Sequence, residues 1–196
     1  MTYNENRYNI TKIYKNNKIH SQNDLFKTLK YVPNLVFNNN LLSTHKLKKN
    51  KNILIHSGFL DVYNNIRDKI LKELNNIKPK YLIISGHSLG ASIATIAALD
   101  LSLLGFNIVT YSFASPRVGN TEFSNLVNKS TNLYRIVNTC DIIPDGWLSV
   151  TPNFEDYKKP YIFTHTGIIK TFTSNWKSLI HNHAIENYSE NINNYK

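Results

Sequence analysis

Gly86-His87-Ser88-Leu89-Gly90 is a G-x-S-x-G pentapeptide whose flanks suit chemistry at the serine. The apolar run Tyr81-Leu82-Ile83-Ile84-Ser85 precedes it and an alanine-rich stretch, Ala91 to Leu99, follows it. That pattern predicts a strand, a sharp turn and a helix, the setting of a nucleophile elbow. A serine hydroxyl is a weak nucleophile until the fold holds it out of the sheet, within reach of a base. The abrupt turn that does so strains the serine backbone and crowds its neighbours. Gly86 and Gly90 leave room for strand and helix to pass closely, and Ala91, Ala94, Ala97 and Ala98 let the helix lie against the sheet. The Leu89 N–H then stands at the helix start, where a developing oxyanion can be held.

A serine of this kind needs a base, and the base needs an acid to orient it. With this turn the chain order is serine, acid, histidine. Asp141 directly follows the strand-like segment Tyr134 to Cys140, at the carboxyl end where open α/β sheets place their sites, and is the expected acid. Asp145, within Pro144-Asp145-Gly146, reads more simply as a turn. Three histidines lie downstream. His165 sits among aromatic and β-branched residues in Phe163-Thr164-His165-Thr166-Gly167 and is expected to be structural, hydrogen-bonded to backbone. His181 and His183 flank Asn182 in a predicted loop before a final helix, from which a base can reach over the elbow. No further ligands at metal spacing accompany them, so no metal site is expected.

The rest of the chain must position these groups. Its 196 residues suit one domain, residues 1–196, with a proper core, and 41% hydrophobic content is that of a globular chain. Ile53-Leu54-Ile55 reads as a strand, and Val62 to Asn75 as a helix with Val62, Ile66, Ile70 and Leu74 on one face. Asn107 to Phe113 and Leu133 to Asn138 read as strands, with a short helix, Glu122 to Asn128, between them. The alternation predicts an α/β sandwich around a largely parallel sheet. Upstream, Leu25, Phe26, Leu29 and Val32 form an apolar stripe at helical spacing, opened by Ser21 or Asn23 and closed before Pro33.

Composition bounds the partners and the compartment. The N-terminal residues show no signal-peptide apolar core, and no apolar run is long enough to span a bilayer. Cys140 is the only cysteine, which excludes an internal disulfide framework and fits a reducing compartment, so an intracellular, cytoplasmic protein is expected. The net charge of +10 would draw the chain to anionic lipid headgroups or nucleic acid. No reader motif accompanies the charge, and its densest run, His45 to Lys51, reads as a solvated loop, so nucleic acid is not an expected partner.

Four stretches resemble the class 3, fungal-type lipase family of α/β-hydrolases. His56-Ser57-Gly58-Phe59-Leu60-Asp61-Val62-Tyr63 resembles its H-x-G-F-x-x-x-Y, and Gly86 to Ala91 its G-H-S-L-G-G/A. Phe113-Ala114-Ser115-Pro116-Arg117-Val118-Gly119-Asn120, with Phe123, resembles F-G-x-P-R-V-G-N-x-x-F, with alanine at the glycine position. Arg135 to Pro144 resembles R-V-V-N-x-x-D-x-V-P, whose aspartate is the triad acid; the role passes to Asp141. His165-Thr166-Gly167 resembles a structural H-x-G, while His183 to Tyr188 resembles H-s-x-x-x-Y, which places the base at His183 rather than His181.

The resemblance implies an α/β-hydrolase fold, a mostly parallel sheet with helices on both faces. It also implies hydrolysis of acylglycerol esters by Ser88, Asp141 and His183, without cofactor. A phospholipase A1-like esterase on the same triad, or an inactive lipid-binding relative, are the alternatives. A lipid ester substrate and peripheral contact with an anionic membrane or lipid-droplet surface would follow. Two departures matter. The family's upstream G-T/S-x-S-x-x-D-W is matched by Lys18 to Leu25, where Ser21 and Asp24 fit but Ile19 occupies the oxyanion position and offers only its backbone N–H. Loss of such a side-chain donor costs about 10² to 10³ in turnover. The chain also begins so close to this stretch that the family's first strands would be truncated, or would lie upstream of Met1. Finally, the stripe of Leu25, Phe26, Leu29 and Val32 matches the family's lid; core packing is the other reading.

Overall fold

A computed structural model of the protein describes residues 53–146, 150–151 and 160–192. Helix α1 (Ser57–Ile77) buries Phe59, Tyr63, Ile66 and Leu74, steps of four, three and eight residues that keep one face inward. It begins ahead of Val62 because Phe59 and Leu60 extend that buried face by another turn. Lys78 ends it in a left-handed conformation, φ 49°, donating its N–H to the Leu74 carbonyl. Strand β1 (Leu82–His87) and helix α2 (Leu89–Leu103) follow. Every residue of α2 from Ala91 to Leu101 is buried, as befits a helix covered on all sides.

Strand β2 (Ile108–Phe113), the short β3 (Gly119–Asn120), helix α3 (Thr121–Ser130) and strand β4 (Asn132–Asn138) come next. Asn120 caps α3, its side-chain oxygen accepting from the Phe123 N–H at 3.1 Å. The chain continues through α4 (Ile143–Gly146), β5 (Val150–Thr151), β6 (Tyr161–Thr164), β7 (Ile168–Phe172), α5 (Leu179–His183) and α6 (Ile185–Glu190).

Strands β1, β2, β4 and β7 form one sheet in that order, every pairing parallel. The register aligns Leu82 with Ile108, Phe113 with Ile136, and Asn138 with Phe172. Side chains alternate between its faces. Leu82, Ile84, Ile108 and Leu133 join the main core beneath α1, α2 and α3. Phe113, Ile136 and Phe172 face the other way and are covered by Tyr188 of α6. The architecture is therefore α/β, a parallel sheet with helices on both faces. Ile53-Leu54-Ile55 does not join it. Only Ile55 bridges Gly119, antiparallel, at the margin of the small sheet β3-β6-β5.

Between α1 and α2 lies a buried polar clamp. Tyr63 Oη donates to Asp100 Oδ2 at 2.6 Å, Arg67 Nε donates to the same oxygen at 2.6 Å, and Arg67 Nη2 reaches Oδ1 at 3.1 Å. The Asp100 side chain is fully buried, and the arginine supplies its countercharge. Burial and the neighbouring carboxylate push the Tyr63 phenol pKa upward, so it stays a donor.

Candidate active site

Ser88 occupies the turn between β1 and α2 with φ 56° and ψ −121°, a left-handed conformation costly for any residue with a Cβ. Neighbouring packing enforces it. The Ser88 N–H donates to the Phe113 carbonyl at 2.9 Å, and its carbonyl accepts from Ala91 and Ser92 at 3.0 and 3.2 Å. A Cβ on Gly86 would stand 2.2 Å from the Gly90 carbonyl oxygen, so only glycine permits this crossing of strand and helix. Leu89 opens α2, and its N–H is among the first helical donors, which have no intrahelical acceptor.

Asp141 follows β4 in a tight turn, its N–H donating to the Asn138 carbonyl at 2.9 Å. Its carboxylate is fully engaged. Oδ1 accepts from the Ile143 N–H at 3.0 Å, while Oδ2 accepts from His183 Nδ1 and from Tyr188 Oη, each at 2.7 Å. On the far side of the imidazole, His183 Nε2 lies 2.8 Å from Ser88 Oγ. The carboxylate fixes the tautomer: Nδ1 carries the proton, so Nε2 is free to accept from the serine hydroxyl. Serine, histidine and aspartate thus form one continuous relay.

His181 takes no part in it. Its Nδ1 pairs with Ser178 Oγ at 2.9 Å on the exposed side of α5. Asn182 separates the two histidines: buried between them, it accepts from the Trp176 N–H at 2.8 Å and donates to the Cys140 carbonyl at 3.0 Å. Anchoring Asn182 inward sends His181 outward and brings His183 over the elbow. Both histidines belong to a short helix, not to the loop predicted for them.

His165 lies apart, directly after β6. Its partner is not backbone: Nε2 meets Asp145 Oδ1 at 2.8 Å, and the same oxygen accepts from Arg117 Nη2 at 3.3 Å. Burial, then the positive charge of Arg135, lowers the His165 pKa to about 4, so the ring is neutral near pH 7. Asp145, read from sequence as a turn residue, sits in α4 and ties that helix to the Arg117 loop.

Two groups at the site, Tyr188 and Asn138, fall within the family patterns quoted above, but the sequence alone assigns them no role. Tyr188 donates to Asp141 while its oxygen accepts from the Asn138 N–H at 3.1 Å; burial, then the Asp141 charge, raises its pKa. Asn138 joins the segments that carry acid and base, donating to the carbonyls of Ser174 and Asn182 at 2.8 and 3.1 Å. Ile19, Ser21, Asp24 and the stripe Leu25, Phe26, Leu29 and Val32 lie outside the described residues. Among the described residues there is no metal-binding cluster, and no helix is long and apolar enough to cross a membrane.

A family model described as lipase (class 3) matches residues 26–150. The secreted mono- and diacylglycerol lipase A of Penicillium cyclopium is 37% identical over 112 residues, 52% of this chain and 37% of that protein. Phospholipase A1-IIgamma of Arabidopsis thaliana is 28% identical over 181 residues, covering 74% of this chain and 41% of the relative. The crystal structure of a mutant form of MDLA from Penicillium cyclopium superposes with a TM-score of 0.56 at 27% identity, covering 78% of this chain and 53% of that one. The chain therefore spans about two-fifths of the length of the two curated relatives named.

These matches correct the expected compartment. The fungal relatives are named as secreted proteins, which overturns the cytoplasmic location inferred from cysteine usage. The physical reason is that a domain with so large an apolar core does not need disulfides to fold, so a single cysteine carries no compartment signal.

Proposed function

Because the chain belongs to the class 3 lipase family, we infer that it is a serine ester hydrolase acting on acylglycerols. The observation that carries this reading is the relay of 2.8 and 2.7 Å contacts from Ser88 through His183 to Asp141, built on a strained elbow. Ser88 Oγ attacks the acyl carbonyl as His183 Nε2 takes its proton. Asp141 holds the imidazole in the required tautomer and stabilises its charged form. The tetrahedral oxyanion is held by backbone N–H groups, that of Leu89 and that of Ile19. His183 then protonates the departing alcohol, leaving an acyl-enzyme that water hydrolyses by the reverse sequence. These steps use only side chains, backbone and water.

The whole chain, residues 1–196, is read as one domain serving this site. The exposed Ile142, Trp176, Leu179, Ile180 and Ile185 flank Asp141 and His183 in sequence, and support docking on a lipid surface beside the site. The net charge of +10 favours an anionic surface. A phospholipase A1 activity on the same triad is the second reading, favoured by that charge and by the Arabidopsis match. The stripe of Leu25, Phe26, Leu29 and Val32 is a lid candidate on its match to the family pattern, with core packing the other reading.

A fluorophosphonate probe tests the reading. It should label the wild-type chain once, at Ser88, and leave Ser88→Ala unlabelled, with p-nitrophenyl ester hydrolysis lost in parallel. An adduct on another serine, or none on folded wild type, would overturn it.

A further inference from the structure

His87 ends β1, one residue before Ser88, and its ring lies against two groups of the site. Its centroid is 4.9 Å from that of His183, with the planes tilted by 43°, and 5.5 Å from that of Tyr188 in an edge-on contact. Its Nε2 is buried without a hydrogen-bond partner among the described residues. The relay described above does not use this residue.

What His183 lacks explains what His87 supplies. The two hydrogen bonds of His183 run to opposite ends of the ring, towards Asp141 and towards Ser88. Such bonds fix the ring along one line but leave it free to turn about that line and to move out of plane. The anchoring of Asn182 fixes the backbone beneath the ring, but those bonds do not touch the imidazole faces. A packed ring face removes both motions. That face must also be uncharged, since His183 becomes a cation when it takes the serine proton, and a second cation alongside would oppose the transfer.

His87 meets the condition. Burial, then the charge of His183, holds its pKa down to about 4, against the opposing influences of the His183 backbone and Asp141. It is therefore neutral near pH 7. A neutral π face within about 6 Å of a cation is, in addition, weakly attractive to it. The titratable groups facing His87 are His183 and Asp141, with the Tyr188 ring closing the third side.

We propose that His87 is a positioning residue for the base, an uncharged wall that keeps the His183 ring aimed at Ser88 through the proton transfer. This rests on the reading of Ser88 and His183 as nucleophile and base.

The test uses the full chain with His87→Phe, His87→Leu and His87→Lys. The readouts are the rate of fluorophosphonate labelling at Ser88, kcat and KM for p-nitrophenyl butyrate, and the melting temperature. His87→Phe keeps a neutral ring and should stay within about threefold of wild type. His87→Leu should lose about tenfold or more in both kcat and labelling rate with KM within about twofold, the signature of a transition-state effect. His87→Lys should slow labelling at Ser88 relative to His87→Phe, because a neighbouring cation opposes proton transfer to His183. A folded His87→Leu as reactive as wild type would overturn the proposal. So would a folded His87→Phe that loses as much as His87→Leu, since the imidazole itself would then be required. If His87→Leu fails to fold, a folded His87→Phe that loses about tenfold or more in labelling rate, or a folded His87→Lys as reactive as wild type, overturns the proposal. Failure of wild type to label at Ser88 is a different result: it removes the reading of Ser88 and His183 as well.

Discussion

Two buried carboxylates in this molecule have nearly the same surroundings and opposite uses. Asp100, between α1 and α2, accepts from Tyr63 at 2.6 Å; Asp141, beyond β4, accepts from Tyr188 at 2.7 Å. Both aspartate side chains are fully buried. The third partner separates them. Asp100 is met by Arg67, a cation at every accessible pH, so its charge is matched permanently and the cluster acts as a staple. Asp141 is met by His183, whose charge comes and goes. Its carboxylate is fully compensated only once His183 has accepted a proton, and that unmet charge is what a general base needs behind it. The same Tyr–Asp pair thus becomes scaffold or machinery according to whether its third member can titrate.

The sharpest way to break the comparison is to neutralise each aspartate system in turn. Asp141→Asn keeps the shape but offers an amide to His183 Nδ1, favouring the wrong tautomer. Turnover of p-nitrophenyl esters should fall about 10⁴-fold while the melting temperature changes little. Arg67→Met does the reverse: it strands the buried Asp100 charge and should cost about 3–5 kcal/mol in urea unfolding. The labelling rate of the molecules that remain folded should be unchanged. If Arg67→Met slowed labelling as strongly as it destabilised the fold, the two regions would not be separable as scaffold and site.

Acid should expose a second difference, because one histidine beside the site and one apart from it are both held neutral by burial. His87 and His165 are held near pKa 4 in the folded chain, against an ordinary value of 6.5. Above that ordinary value both states leave them neutral and neither contributes. As pH falls from about 6.5 to about 4, the unfolded chain binds protons that the folded chain refuses, so stability drops by up to about 3 kcal/mol per histidine. Urea titrations across that window should show the loss, and His165→Asn should flatten it. A profile unaltered by His165→Asn would place the acid sensitivity elsewhere.

The smallest effect compares the tyrosines directly. Tyr63→Phe and Tyr188→Phe each remove a hydrogen bond to a charged acceptor, worth about 1.5–3 kcal/mol of stability. Only Tyr188→Phe should also slow labelling at Ser88, severalfold, since Asp141 would then be oriented by Ile143 and His183 alone. Equal labelling rates in the two variants would reduce Tyr188 to packing.

What could be read in the sequence follows the range of the interactions involved. The turn at Ser88 is specified by contiguous residues, apolar strand, paired glycines and alanine-rich helix, so its local geometry was legible. Asp141 was legible from its place at a strand end. The choice between His181 and His183 was not local: it depends on Asn182, anchored by the Cys140 carbonyl on a loop distant in sequence, and only family resemblance pointed to one of them. Tyr188 donates to an acceptor 47 residues away along the chain, and no periodicity announces such a bond. His165 was expected to bond backbone because its neighbours are apolar; the exposed Asp145 that it meets comes from another element. Ile53-Leu54-Ile55 looked like a sheet strand because its side chains fit one, but backbone bonds from Asn120 to Leu54 and from His56 to Val118 draw it to the β3 margin, where among the described residues it makes a single bridge at Gly119.

The backbone of Ser88 carries a consequence for how this chain can change over time. At φ 56° and ψ −121° a glycine would sit with less strain, and Ala114 likewise has a positive φ, 52°, where the family pattern has glycine. Folding alone would therefore favour glycine at position 88. Only chemistry favours serine. A lineage released from any need for the hydroxyl would gain stability by losing it, so the nucleophile sits where drift and thermodynamics pull together against it.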